Sequence, residues 1–383
     1  MTLLSVAMLV ALASAAYVVI RWPNYQCWGD TPLPTVSLLA ILFTSGLDVG
    51  LIMFPLIDFE TYAAGAEYSF ASPLVIEFGF WGGIVWGFYV LTTLYFCAIE
   101  PRLRFFERPL VRWVHNLVVV ATCAFTAYLF LAYLPSYVEG INPALTYFMV
   151  GSVIVVAVLS STRLSVLRVL SAGSTAMFLL LIVIAWLASG VGVKGLVNQL
   201  SGLSAYVTHL DYFVLPLNDY HGFYLSWWFA WSIMIGQFVA RFVNGMRAWK
   251  LALAILFVPS IPIALWFSVL FGYFESGLAV GQGVNALMIG VGILFVVNSL
   301  DSLTRLYSQN LGWTVEALGF QRYVGLHVAL LVGLVALYQF TPLKIEWVGM
   351  VVIALYAAVY ATLMMRRLRP SIDPAYDQCK RAP

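Results

Sequence analysis

The residues best suited to chemistry in this chain are aromatic. Trp227, Trp228 and Trp231 crowd one stretch of an apolar run that ends at Arg241. On a helix Trp227 and Trp231 share a face, and Trp228 lies about 100° round from Trp227. Indole is large and rigid, and its π-face attracts cations, above all methylated ammonium ions that cannot donate hydrogen bonds. An interfacial aromatic belt is the other reading of such a cluster. Belts sit at helix ends, whereas here a long apolar stretch separates Trp231 from the next charge, so composition leaves belt and binding cage both open. A second aromatic group, Trp81, Trp86 and Tyr89, lies among Gly79, Gly82, Gly83 and Gly87, which let neighbouring backbone approach. Glu77, one turn before Trp81, is expected at a solvated helix end.

Two further apolar stretches carry polar groups. Asp48 stands between Gly46 and Gly50, with Pro55 beyond. Glycine weakens a helix by about 1 kcal/mol against alanine, and proline removes a backbone donor, so the chain is expected to unwind here. A carboxylate at mid-helix costs about 2.5–3.5 kcal/mol on insertion scales. Asp48 therefore needs a cavity, a cation, a proton or a structural partner. Asn298, Ser299, Asp301, Ser302 and Thr304 interrupt another apolar run. Their oxygens suit a hard cation such as Na⁺, or interhelical hydrogen bonds worth about 0.6 kcal/mol each. The four histidines have no metal spacing, the four cysteines form no disulfide framework, and no nucleophile–base set is visible. The expectation is a non-enzyme without a cofactor, apart from Na⁺ or H⁺ as a coupling ion.

These residues must be positioned by membrane helices. Of 383 residues, 62% are hydrophobic and 9% charged, and the mean hydropathy is +0.94; soluble domains carry about 25% charged residues. No basic face remains for nucleic acid, so the expected surroundings are a lipid bilayer and a small solute. Eleven stretches are long enough to span: 3–20, 36–56, 74–98, 112–134, 143–161, 171–190, 223–244, 249–273, 284–307, 323–341 and 346–365. The first reads as a membrane helix rather than a cleaved signal peptide, because it lacks a basic n-region. Of the 19 Lys and Arg, all but Lys194 and Lys344 fall on one side of this arrangement, and the other side collects Asp58, Glu60, Glu67, Glu139, Asp211, Asp219, Glu275 and Glu346. By the positive-inside rule the amino terminus is outside and the tail cytoplasmic, as expected for a multi-pass protein of a cell inner (plasma) membrane.

The Asp48 span and the Trp227–Trp231 span are five spans apart. Five is odd, so two units that begin with them would be inverted in the membrane, a transporter signature. The expected organisation is a first helix and loop over 1–35, a five-helix repeat over 36–190, an amphipathic connection over 191–222, a second five-helix repeat over 223–366, and a tail over 367–383.

With these stretches in view, the chain resembles the betaine/choline/carnitine transporter family. Residues 43–51, Phe-Thr-Ser-Gly-Leu-Asp-Val-Gly-Leu, are similar to that family's glycine-rich unwound segment. Trp81-Gly82 with Trp86 and Tyr89, the stretch Ser226 to Arg241, Val258-Pro259-Ser260 with Leu265-Trp266-Phe267-Ser268, and residues 298–302 resemble further family signatures in the same order. The resemblance implies an all-α, leucine-transporter-like fold of inverted five-helix repeats and an aromatic cage of Trp81, Trp86, Tyr89 and Trp228. Trp227 and Trp231 would line the route or an adjoining site. It also implies a Na⁺ site from backbone at Thr44, Leu47 and Phe295 with side chains near Asn298 and Ser299, and a homotrimer. The chain is expected to lack the family's first helix, and it departs from the pattern by Asp48 in place of a glycine, by Ile233 in place of a proline and by Asn298 in place of a threonine. A choline-like cation has no carboxylate of its own, so Asp48 is a candidate counterion. The implied function is secondary transport of a quaternary ammonium or similar onium solute, coupled to Na⁺ or H⁺; the alternative is a transport-incompetent membrane sensor or a subunit of a larger complex.

Overall fold

Inside a bilayer no water completes the backbone, so long apolar runs must close their own hydrogen bonds as helices. The computed structural model describes residues 2–47, 49–138 and 140–366; Asp48 and the tail 367–383 therefore lie outside the described residues. The chain runs through α1 (Thr2–Arg21), α2 (Thr35–Ser45), α3 (Val49–Met53), α4 (Pro55–Ala64), α5 (Pro73–Trp81), α6 (Gly87–Ala98), α7 (Pro109–Tyr137), α8 (Pro143–Ser160) and α9 (Leu164–Ser189). It continues through α10 (Val193–Gly202), α11 (Asp219–Ala240), α12 (Ala248–Ser276), α13 (Gln282–Leu311), α14 (Phe320–Phe340) and α15 (Ile345–Arg366). Apart from one short pair of strands, the regular structure of the described residues is helical, and the protein is polytopic. Among the described residues, 9 helices are long and apolar enough to cross a membrane, with α5 and α6 counted together as Pro73–Ala98.

The two other expected spans differ from the rest for physical reasons. The stretch 36–56 is broken: α2 ends at Ser45, Gly46 follows as its cap, and α3 starts only at Val49. Phe54 then leads into α4, with Pro55 in its first turn, where proline's missing N–H costs nothing. Pro55 still leaves the Leu51 carbonyl without its helical donor. The indole of Trp266 on α12 supplies one, 3.0 Å away. The stretch 223–244 is α11, which begins earlier, at Asp219, with the Asn218 side chain capping the His221 N–H at 2.9 Å. It is buried along almost its whole length, so its aromatic and polar side chains meet protein rather than lipid.

Helix α11 is the hub. It packs on α6 on one side and α15 on the other, while α13 packs on α7, α8 and α9. Contact with α6 depends on Gly236: a Cβ there would lie 2.1 Å from Thr92 Oγ1 and 2.9 Å from the Thr92 carbonyl carbon. Thr92 uses that approach to donate to the Ser232 carbonyl at 2.8 Å. A short antiparallel pair, β1 (Gln26–Trp28) with β2 (Asn244–Arg247), ties the connection after α1 to the segment after α11. Helix α10 has no buried residue and leaves Val193 and Val197 exposed.

Candidate aromatic binding site

The sequence places Trp81 at the end of α5 and then breaks the helix. Gly82 is extended, and Gly83 has φ +62°, a conformation that L side chains rarely adopt. The short 3₁₀ turn Gly83–Trp86 follows before α6 begins. This break frees backbone groups, and four of them find specific partners. Gly83 N–H donates to Ser260 Oγ on α12 at 3.0 Å, and Ile84 N–H donates to the Tyr206 hydroxyl at 2.9 Å. The Phe80 carbonyl, which Ile84 would have served in a continuous helix, accepts instead from Trp228 Nε1 at 2.7 Å. The Trp81 carbonyl accepts from Trp86 Nε1 at 2.9 Å. The indoles are thus held by the same broken backbone that carries them.

The expected cage residues come together and all are buried. The Trp228 ring lies 5.9 Å from Trp81, 5.9 Å from Trp86 and 5.7 Å from Tyr89, between ring centroids. Trp81 also meets Trp227 edge-on at 5.2 Å. The Tyr89 hydroxyl donates to the Gly46 carbonyl at 3.3 Å, which attaches the cage to the break after α2. A cavity at the centre is lined by Gly46, Leu47, Trp81, Tyr89, Trp227, Trp228 and Trp231. Trp227 and Trp231 therefore share this cavity rather than an adjoining one, while Trp86 buttresses Trp228 and Tyr89 from behind. The indole N–H groups of Trp227 and Trp231 are buried without a partner.

The rings are in contact with one another. The centre of a water-sized sphere can move over only about 10 Å³ of the cavity, room for about one water. A methylated ammonium group can enter only if the two arms of the cage part. A second cavity, of about 380 Å³ on the same measure, lies between α1, α6 and α15 and is lined by Tyr17, Trp22, Tyr95, Arg102 and Tyr360 among others.

Of the residues expected near a Na⁺ site, Ser299 and Leu47 bond to each other, while Thr44 and Asn298 bond elsewhere. Ser299 Oγ donates to the Leu47 carbonyl at 2.9 Å, Ser45 and Ser302 hydroxyls lie 2.8 Å apart, and Thr44 Oγ1 donates within α2 to Ala40 at 2.8 Å. Ser171 donates to Asn298 Oδ1 at 3.1 Å, while Asn298 Nδ2 is buried without a partner. Phe295 packs its ring on Phe43 and Phe178. Asp301 Oδ1 pairs with Arg305 at 2.9 Å, while its Oδ2 is buried without a partner. Asp48 lies outside the described residues.

One expectation is overturned. Glu77 is fully buried, not at a solvated helix end. Its surroundings come from α4, which continues past Pro55 and brings Asp58 and Tyr62 into the protein. Sequence reasoning missed this group, although three pairs at helical i, i+4 spacing signal it: Asp58 with Tyr62, Glu77 with Trp81, and Tyr220 with Tyr224.

No family model matches the chain. The chain is 26% identical over 300 residues to glycine betaine transporter 1 of Vibrio parahaemolyticus, covering 65% of this chain and 55% of that protein. It is 23% identical over 303 residues to a glycine betaine/proline/choline/ectoine transporter of the same organism, covering 66% and 51%. An uncharacterised transporter of Mycobacterium bovis matches at 25% over 297 residues, covering 63% and 48%. The chain spans about half the length of the curated relatives it matches, and these relatives are transporters rather than enzymes. The signatures at Trp81–Tyr89 and Ser226–Arg241, the buried site they build and these alignments together show distant homology to the betaine/choline/carnitine transporters.

Proposed function

We propose that this chain is a secondary transporter of a quaternary ammonium or similar methylated-onium solute, of the choline or betaine class, working by alternating access. The observation that carries this reading is one buried cavity bordered by Trp81, Tyr89, Trp228, Trp227 and Trp231, drawn from two distant stretches of chain. Rings at several angles offer π-faces to one guest, each worth about 0.5–2 kcal/mol to a cation. The unpartnered N–H groups of Trp227 and Trp231 favour a solute that also carries an acceptor oxygen. Choline with its hydroxyl and a betaine with its carboxylate both qualify.

The finer architecture belongs to the same reading. The units 36–190 and 223–366 act as inverted repeats, opened by the broken α2–α3 segment and by α11, in a cell inner membrane with the amino terminus outside. Closed rings around room for about one water suit one state of a two-state cycle, and solute binding selects a state in which the arms separate. Coupling is to Na⁺ or H⁺; a Na⁺ ion would draw on the Leu47 carbonyl and the Ser299 hydroxyl, with Thr44, Phe295 and Asn298 around them. The test is counterflow in proteoliposomes with labelled choline and glycine betaine. Exchange of either supports transport; binding without exchange favours the sensor or subunit reading.

A further inference from the structure

Beside the cage lies a buried acidic group that the onium site does not use. Asp58 Oδ1 accepts from the Tyr220 hydroxyl at 2.8 Å, and Oδ2 accepts from Tyr224 at 3.0 Å. The Tyr62 hydroxyl donates to Glu77 Oε2 at 2.7 Å and stands 3.5 Å from Asp58 Oδ2. Asp58 is 3% exposed and Glu77 0%. The other groups facing the pair are Tyr133 and Tyr137 from α7 and Tyr68 from the turn after α4, with Glu67 beyond Tyr68. Among the described residues, no Lys, Arg or His balances these two carboxyls.

Counting protons decides what this arrangement holds. Each tyrosine has one hydroxyl proton. Those of Tyr220 and Tyr224 go to Asp58, and that of Tyr62 goes to one carboxyl or the other. Two bare carboxylates bridged by one hydroxyl, out of water and without a cation, repel strongly, so such pairs take up protons in separate steps. Donors already aim at both oxygens of Asp58 and at Glu77 Oε2, and this crowding by hydroxyl protons disfavours a metal ion. Glu77 Oε1 is the oxygen left buried without a partner. The indole N–H of Trp81, one turn along α5, faces the same carboxyl and is itself buried without closing a hydrogen bond.

We propose that Asp58, Tyr62 and Glu77 form a site for one exchangeable proton, which couples to the aromatic cavity through Trp81. With the proton bound, Glu77 Oε2–H donates to Tyr62 and the Tyr62 hydroxyl turns to Asp58. When the proton leaves, Tyr62 donates back to Glu77, whose bare Oε1 then draws the Trp81 indole N–H. Trp81 is both a wall of the cavity and the edge-on neighbour of Trp227 and Trp228, so loss of the proton moves a cage ring. Tyr224 makes a second connection, since it donates to Asp58 and packs its ring on Trp81 at 5.8 Å. The coupling half of this inference rests on the cage reading; the proton site itself does not.

The test is infrared difference spectroscopy of the lipid-reconstituted full chain between about pH 5 and about pH 8, paired with choline and glycine betaine affinities over the same range. The expected result is a buried carboxylic-acid C=O band that titrates in the wild type, is lost in Glu77→Gln and is displaced in Tyr62→Phe. Onium affinity should change by up to about tenfold per pH unit where the band titrates, and Glu77→Gln should flatten that dependence. A wild-type spectrum without a titrating carboxyl band, or a band unchanged in Glu77→Gln, overturns the proton site. A titrating band with pH-independent affinity overturns its coupling to the cage. Absence of any onium binding overturns the cage reading, and the band alone then decides the proton site.

Discussion

Trp228→Phe separates binding from packing at the centre of the site. The indole of Trp228 does two things: its ring meets Trp81, Trp86 and Tyr89, and its N–H serves the Phe80 carbonyl at 2.7 Å. Phenylalanine keeps a smaller apolar ring and loses the donor. The buried Phe80 carbonyl then goes unpaired, at a cost of about 1–3 kcal/mol to the fold. Loss of part of one cation–π face costs a bound onium up to about 2 kcal/mol, or roughly 2- to 30-fold in affinity. Trp266→Phe is the matched control. Its indole is equally buried and serves the carbonyl that Pro55 leaves unpaired, but its ring does not border the cavity. Both variants should lower the melting temperature in detergent by similar amounts, and only Trp228→Phe should weaken choline or glycine betaine binding in a calorimetric titration. Equal loss of affinity in both variants, or none in Trp228→Phe, would refute the cage.

Other substitutions probe the parts that hold or serve the site. Gly236→Ala should push α11 off Thr92 and cost about 1–3 kcal/mol by overpacking, read as a lower thermal transition; an unchanged transition would show that the two helices are not in close contact. Ser299→Ala leaves the Leu47 carbonyl without its donor and should abolish any thermal stabilisation by Na⁺ over K⁺; a Na⁺ effect that survives removes Ser299 from the ion site. Asp48→Asn should weaken choline more than glycine betaine, because choline lacks a carboxylate of its own. Equal affinities for the two in wild type and variant would remove Asp48 as a counterion.

Much of the fold was legible because the bilayer narrows the choices. Long apolar runs have to be helices, and the nine plain spans follow from length and composition alone. The break after Ser45 was signalled by Gly46, Gly50 and Pro55. Spacing alone placed Trp227 and Trp231 on one face but left belt and binding cage open; the grouping of Trp81, Trp86, Tyr89 and Trp228 came from the family resemblance. Sequence could not show that Gly82 and Gly83 turn the chain so that Trp81 faces Trp228 while Trp86 falls behind, since that depends on Ser260 and Tyr206 capturing two freed N–H groups. Nor could it show Glu77 buried. Its depth depends on how far α4 runs past Pro55, and Asp58 and Tyr62 find it only through tertiary contact. For the polar run 298–304 the sequence left a cation site and helix–helix hydrogen bonding both open, because the partner of Asp301 Oδ1, Arg305 one turn along, could be paired with it only in three dimensions.

The location of a bound guest tests the aromatic-cage proposal without relying on any variant. Diffraction from crystals grown with a bromine-tagged trimethylammonium compound should place the head group within about 6 Å of the ring centroids of Trp81 and Trp228, with those rings moved apart from their present 5.9 Å. A head group found instead in the larger cavity between α1, α6 and α15, or against the lipid-facing surface, with the Trp81–Trp228 contact still closed, would contradict it.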